Sequence, residues 1–243
     1  MTAGQSGGEV STPARLNIGR AGSRYTTAAM LKFRADHARA VDAVLTEVSA
    51  KWPRENQLAE FHSAAATREE YLHHPERGRR LRGDEIARLK GLHGASRKSA
   101  PGQASILIFV GDGLSSAAVE ANAGALLRAL EKLLKEKYRL LKPIFVRNAR
   151  VRIEDHLGEI LRPDLICMIV GERPGLATAE SLSAYVIYRP RLNSREPDRT
   201  VISNIHRRGI SIPAASKKIT ALIDEAIAHR ATGARLAAML PLE

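Results

Sequence analysis

The sequence predicts an α/β fold: a layered, mostly parallel sheet flanked by helices, preceded by an N-terminal helical region. Three observations carry this. The runs 105–110 and 165–170 are apolar at nearly every position, as strands buried on both faces require. Each run stops at a glycine-rich turn, Gly111-Asp112-Gly113 and Gly171-Glu172-Arg173-Pro174-Gly175. Helical periodicity lies between and after them, so strand and helix alternate.

The elements follow in chain order. Residues 1–14 are rich in Gly, Ser and Thr and lack the apolar stretch of a secretory signal, so they read as a disordered tail. Residues 15–93 read as a helical region. Thr26 or Thr27 is suited to cap a first helix, along which Leu31, Ala38, Val41, Leu45 and Val48 form one apolar stripe. Trp52-Pro53 is expected to end it, because the residue before proline disfavours the α region. Short helices are expected at 68–72 and 84–92, and the Gly/Ser/Pro stretch 94–102 reads as a linker. Residues 104–243 read as the α/β domain. Its expected strands are 105–110, 143–146, 165–170, 184–188 and 199–203; its expected helices are 115–137, 153–161 and 213–231. Pro213 sits in the first turn of the last helix, where a proline is tolerated. The pattern is Rossmann-like, and such sheets place ligands at the carboxyl ends of their strands.

Composition narrows the function classes. Apolar residues make up 44% of 243, enough for a core. One cysteine, Cys167, excludes an internal disulfide and suits a reducing cytosol. No apolar run reaches the ~18 residues of a membrane span. The net charge of +12 raises the question of nucleic acid, but the arginines are scattered and aromatics are only 4%, poor for base stacking.

The motifs are sparse. Gly111-Asp112-Gly113-Leu114-Ser115-Ser116 joins a strand to a helix, yet Ser116 occupies the third glycine position of a dinucleotide fingerprint. A tight turn with Ser115 as helix cap is the favoured reading over an anion site. No Gly-Lys-Ser or Gly-Lys-Thr marks a P-loop. At Glu172-Arg173, a carboxylate able to accept ligand N–H groups and a plain surface ion pair stand level on chemistry alone. The histidines are scattered without metal-ligand spacing, and no nucleophile elbow or carboxylate pair stands out. Two rival classes therefore stay open on residues alone, a nucleotide-binding α/β protein and a basic nucleic-acid-binding module.

An ordered set of segments resembles the small subunit of ethanolamine ammonia-lyase. They include Leu31 to Ala38 (LKFRADHA), Gly111 to Ser115, Arg150 to Leu161 (RVRIEDHLGEIL), Val170 to Leu176 (VGERPGL), Ser181-Leu182-Ser183 with Tyr185, and Ser203-Asn204-Ile205. The resemblance runs from about Leu16 to Gly233. It implies a hetero-oligomeric lyase that converts ethanolamine to acetaldehyde and ammonia by adenosylcobalamin radical chemistry. A large barrel subunit would hold the substrate, while the small subunit covers the cobalamin and contributes no catalytic residue. Three cobalamin-contacting positions of the family fall on Val151, Glu172 and Val201. Val151 would act through its backbone and Glu172 as an acceptor. The third position is a cysteine in the family, in a Cys-Ile-Ser-Asn run; here it is Val201-Ile202-Ser203-Asn204, so only a backbone contact would survive. Glu154-Asp155-His156-Leu157-Gly158 has the wrong spacing for the cobalt-ligating Asp-x-His-x-x-Gly motif, so His156 is not expected to bind cobalt. The resemblance implies free cytosol or a bacterial microcompartment, and the short Gly/Ser-rich N-terminus favours the cytosol.

Overall fold

The computed structural model describes residues 18–94 and 103–240. The tail 1–14 and nearly all of the linker 94–102 lie outside the described residues. A small antiparallel hairpin, β1 (Arg20–Ala21) and β2 (Arg24–Tyr25), leads into the helix α1 (Thr27–Leu45). The Thr26 hydroxyl caps α1 by accepting from the N–H of Ala29 at 3.3 Å. Four shorter elements follow: α2 (Trp52–Glu55), β3 (Ala59–His62), α3 (Arg68–His73) and α4 (Gly83–Gly94).

The remainder alternates as expected. β4 (Ser105–Gly111) precedes α5 (Ser116–Ala118), which continues through a π-helical stretch, Val119–Ala123, into α6 (Gly124–Leu134). Then come β5 (Arg139–Leu140), β6 (Ile144–Arg147), α7 (Ile153–Leu161), β7 (Leu165–Gly171), β8 (Leu182–Tyr188), β9 (Thr200–Ile205), α8 (Ile212–His229) and α9 (Gly233–Ala237). The sheet order is β3-β6-β4-β7-β8-β9, with β5 beside β4. β3, β6, β4 and β7 run parallel; β8 is antiparallel to β7, and β9 to β8.

Alternation along the two central strands builds a core on each side of the sheet. Ile106, Ile108 and Val110 pair in register with Leu165, Cys167 and Ile169, and all six face α6 and α8. Leu107, Phe109, Ile166, Met168 and Val170 point the other way, onto α4 and α7. Leu126, Leu130 and Leu134 of α6 and Ile219 and Ile223 of α8 close the first layer. Each such fully buried side chain stabilises the fold by about 1.5–3 kcal/mol relative to exposure.

Three details differ from the sequence reading. α1 ends at Leu45, not at Trp52-Pro53. The N–H and hydroxyl of Thr46 both bond the carbonyl of Asp42, and Thr46 turns to extended backbone. Trp52-Pro53 instead opens α2, where the fixed φ of proline suits a first turn. The apolar stripe on α1 is also turned outward: Leu31, Val41 and Leu45 are exposed, and only Val48, beyond the helix, is buried. The helix-rich N-terminal stretch further supplies a strand, since β3 pairs with β6 from Ala59↔Ile144 to His62↔Arg147. Among its four residues only Phe61 is fully enclosed, too few for a visible alternation.

Candidate functional site

The carboxyl ends of β4, β6 and β7 and the start of β8 meet at one rim of the sheet. Because β8 runs antiparallel, its first residues arrive where the other strands exit. There the structure has an open depression of about 360 Å³, lined among others by Gly113, Arg150, Val151, Glu172, Arg173 and Tyr185.

Its floor is main chain. Gly113 has φ +60°, and a Cβ there would lie 2.2 Å from the carbonyl oxygen of Gly171. The N–H of Leu114 donates to that same oxygen at 3.0 Å. A Cβ on Gly171 would in turn meet the carbonyl oxygen of Ser115 at 2.2 Å. Only glycines let the two loops approach this closely. Ser115 caps α5, accepting from the N–H of Ala118 at 3.2 Å, and its hydroxyl donates to the carbonyl of Ala179. The Gly111–Ser116 motif is thus a tight turn plus a helix cap.

Asp112 fixes the next wall. It is 1% exposed, and its two oxygens accept the N–H groups of Asn148 (2.8 Å) and Ala149 (2.9 Å). Asn148 takes the left-handed conformation, φ 55°, which asparagine tolerates better than most residues. Burial pushes the Asp112 carboxyl above its ordinary range, against the Arg68 guanidinium 3.7 Å away and the two N–H donors. Arg68 also donates to the carbonyls of Val44 and Gly113, each at 2.8 Å, tying α1 and α3 to this rim. Tyr71 lies against the guanidinium groups of Arg150 (4.2 Å from the ring centroid) and Arg68 (4.8 Å), and its hydroxyl donates to the carbonyl of Ala149. The segment 148–151 is therefore held from several sides before any ligand binds.

Val151 is half-buried at the turn into α7. Its carbonyl accepts from the N–H of Glu154 at 3.1 Å, while its own N–H has no protein acceptor among the described residues. Glu172 is half-buried as well. Its Oε1 accepts both the Ser183 hydroxyl (2.7 Å) and the Asn204 N–H (2.8 Å), and Oε2 has no protein donor among the described residues. No ion pair joins Glu172 to Arg173 among the described residues, so the carboxylate cross-links β7, β8 and β9 instead of decorating the loop. Val201 stands apart. It lies on the edge strand β9, 45% exposed, and reaches the depression only through its neighbour in register, Tyr185. The structure thus brings Val151 and Glu172 together and sets Val201 one strand away.

A second charged cluster sits between these positions. Arg199, just before Val201, donates from Nε to Glu154 Oε2 at 3.1 Å and from Nη2 to Asp155 Oδ1. Asp155 also accepts from Arg152 at 3.1 Å. Glu154, Asp155 and Arg199 are all buried. Burial pushes the Glu154 carboxyl up to about 8, against the pull of Arg199. This cluster ties the segment after Val151 to the start of β9.

His156 belongs elsewhere. Its Nδ1 accepts the N–H of Leu81 at 2.9 Å, and it lines a different cavity, with Arg139 and Arg162. Burial and the nearby Arg80 lower its pKa. Among the described residues no group of three or more His, Cys, Asp or Glu is arranged to hold a metal ion, and no helix is long and apolar enough to cross a membrane.

Sequence reasoning missed Ser183, Asn204, Tyr185, Tyr71 and Asp112 as parts of this rim. The first three come together only through the β7–β8–β9 register. For Asp112 the only signal is its place at the end of an apolar strand.

Comparison with known proteins bears directly on this rim. The profile of the family described as Ethanolamine ammonia-lyase light chain (EutC) matches residues 8–237. The chain belongs to this family. It is 45% identical over 224 residues to a protein of Clostridioides difficile named Ethanolamine ammonia-lyase small subunit, covering 91% of this chain and 74% of that protein. A protein of the same name from Lachnoclostridium phytofermentans is 43% identical over 226 residues, 93% of this chain and 74% of its own length. One from Listeria monocytogenes is 41% identical over 224 residues, 91% and 74%. Ethanolamine ammonia-lyase light chains are subunits of a carbon–nitrogen lyase.

Proposed function

We propose that this chain is the small subunit of an adenosylcobalamin-dependent ethanolamine ammonia-lyase. It assembles with a large catalytic subunit into a hetero-oligomer, and its rim covers the cobalamin at the interface between them. The enzyme converts ethanolamine to acetaldehyde and ammonia.

One observation carries the reading: among the described residues, a donor without an acceptor, the Val151 N–H, and an acceptor without a donor, Glu172 Oε2, line the same depression. A primary carboxamide presents one acceptor and two donors, and so matches that pair. The rim of a corrin is set with such arms. A depression of about 360 Å³ suits arms and not the whole macrocycle, as befits a chain that covers one edge of a cofactor seated on another subunit. Val201 would contribute through its backbone on β9. Bound adenosylcobalamin supplies a radical by cleavage of its cobalt–carbon bond. This chain's own residues orient and enclose: Val151 donates, Glu172 accepts, and the main-chain floor at Gly113 and Gly171 sets how deep an arm enters. The charge on Glu172 strengthens its bond to a ligand N–H relative to a neutral acceptor. A cytosolic location follows from this reading, in free solution or inside a bacterial microcompartment.

The test is Glu172→Gln in the enzyme co-expressed with its large subunit. Gln keeps one oxygen for Ser183 and Asn204, while its NH2 takes the place of Oε2, so both the charge and the free acceptor are lost. Affinity for adenosylcobalamin, followed by its visible spectrum, should fall roughly tenfold, equivalent to about 1.4 kcal/mol, with the subunits still assembled. Unchanged cofactor affinity, or deamination of ethanolamine by this chain alone, would overturn the reading.

A further inference from the structure

α1 packs with the wrong face inward. Of its nineteen residues only Asp36 and Ala43 are buried, with Ala29, Ala40 and Val44 partly covered. Four of these five are separated by seven, four and three positions, so small and polar side chains form the face that meets the body. The opposite face carries the bulk. Met30 is 39% exposed, Leu31 59%, Val41 41% and Leu45 59%; Phe33, stacked on His37 at 6.2 Å, falls instead on the inward stripe between Ala29 and Asp36. The stripe continues onto the hairpin, where Tyr25 is 49% exposed. A 19-residue helix in water draws most of its stability from packing an apolar face. Several large apolar side chains exposed on one side of a helix, on an otherwise well-packed chain, mark an interaction site.

We propose that the outward face of α1 is a docking surface for the large subunit. This rests on the reading above that such a subunit exists. Two observations select this occupant over a second copy of the same chain. The first is charge. The N-terminal end of the stripe opens into a cavity of about 580 Å³ lined by Arg20, Arg24 and Arg34 together with Tyr25, Met30 and Leu31. Among the described residues no acidic side chain lines it, and the chain as a whole carries +12. Two copies would bring like charges together, which is costly at an interface. The fitting partner presents apolar side chains to the stripe and carboxylates to these arginines.

The second is place. The C-terminal turn of α1 is bonded to the cofactor rim, since Arg68 bridges the carbonyls of Val44 and Gly113. Asp36, Arg39 and Ala40 also share a cavity with the loop 175–180 that follows Glu172. A protein that closes over the depression at Val151 and Glu172 from this side meets α1 next.

The experiment compares wild type and a Val41→Asp/Leu45→Asp variant. Each is titrated with purified large subunit, with binding followed by sedimentation velocity and helix content and thermal midpoint checked by circular dichroism. Both positions are exposed, so the isolated chain should keep its midpoint. Two charged side chains in the centre of an apolar interface should weaken association by roughly 100-fold or more. Arg34→Glu should also weaken it and reduce its salt dependence. If wild type binds and the double variant binds equally well, the docking proposal is overturned while the functional reading stands. If wild type alone self-associates and the double variant is monomeric, a second copy is the occupant and the proposal is overturned. If wild type binds no large subunit at all, the functional reading falls and the docking surface with it.

Discussion

Arg199→Met tests the buried ionic cluster most directly. Methionine keeps the apolar stem and deletes the guanidinium. Arg199 is 3% exposed, so water does not replace it readily. Asp155 keeps Arg152 at 3.1 Å, but Glu154, fully buried, loses its one ion-pair partner among the described residues, and its Oε1 already has no hydrogen-bond partner among them. Removing one member of a buried pair costs about 3–5 kcal/mol. With a urea m-value of about 3 kcal/mol/M, at the upper end for small proteins, the midpoint should fall by about 1–1.7 M. The pH dependence has a definite sign. Burial raises the folded pKa of Glu154 from the ordinary 4.5 to about 8. Its contribution to stability is therefore fully present below about pH 4.5 and lost as pH rises through about 8. Arg199 opposes that rise, so deleting it lifts the folded value further and steepens the loss. The penalty of Arg199→Met should be larger at pH 8 than at pH 5, and adding Glu154→Gln should recover part of it. A penalty below about 1 kcal/mol, or one equal at the two pH values, would refute the reasoning.

Asp112→Asn should destabilise by about 1–3 kcal/mol, because one carboxamide oxygen cannot replace two carboxylate oxygens facing two N–H groups; a drop in thermal midpoint with faster hydrogen exchange at Asn148 and Ala149 checks it. Cys167 is fully buried in β7, and burial pushes its thiol well up. Native protein should therefore resist alkylation by iodoacetamide for as long as it stays folded, and react fully in denaturant.

The central strands and the long helices were legible because their signals are local. Seven consecutive buried residues in β4 and again in β7 leave an unbroken apolar run, and the spacing in α8 repeats its buried face every three or four positions. β3 was not legible: its identity as a strand comes from β6 beside it, and one enclosed phenylalanine in four residues carries no period. The stripe on α1 was visible as a pattern, but periodicity reports that a face exists and not which way it turns. Glu172 stood out by its place after a buried strand, whereas Ser183 and Asn204, its actual partners, lie 11 and 32 positions away. The family resemblance supplied Val151 and Val201, neither of which carries side-chain chemistry that spacing alone would single out.

The loop between β7 and β8 is pinched shut at its base. Gly171 pairs with Leu182, and the N–H of Glu172 donates to the carbonyl of Ser181 at 3.0 Å. That knot sets the tip around Pro174 and Gly175 apart from the carboxylate at its root. A fluorophore or a short peptide grafted at the tip would ride above the rim without altering the chemistry at its root, giving a reporter of closure that leaves the thing reported on intact.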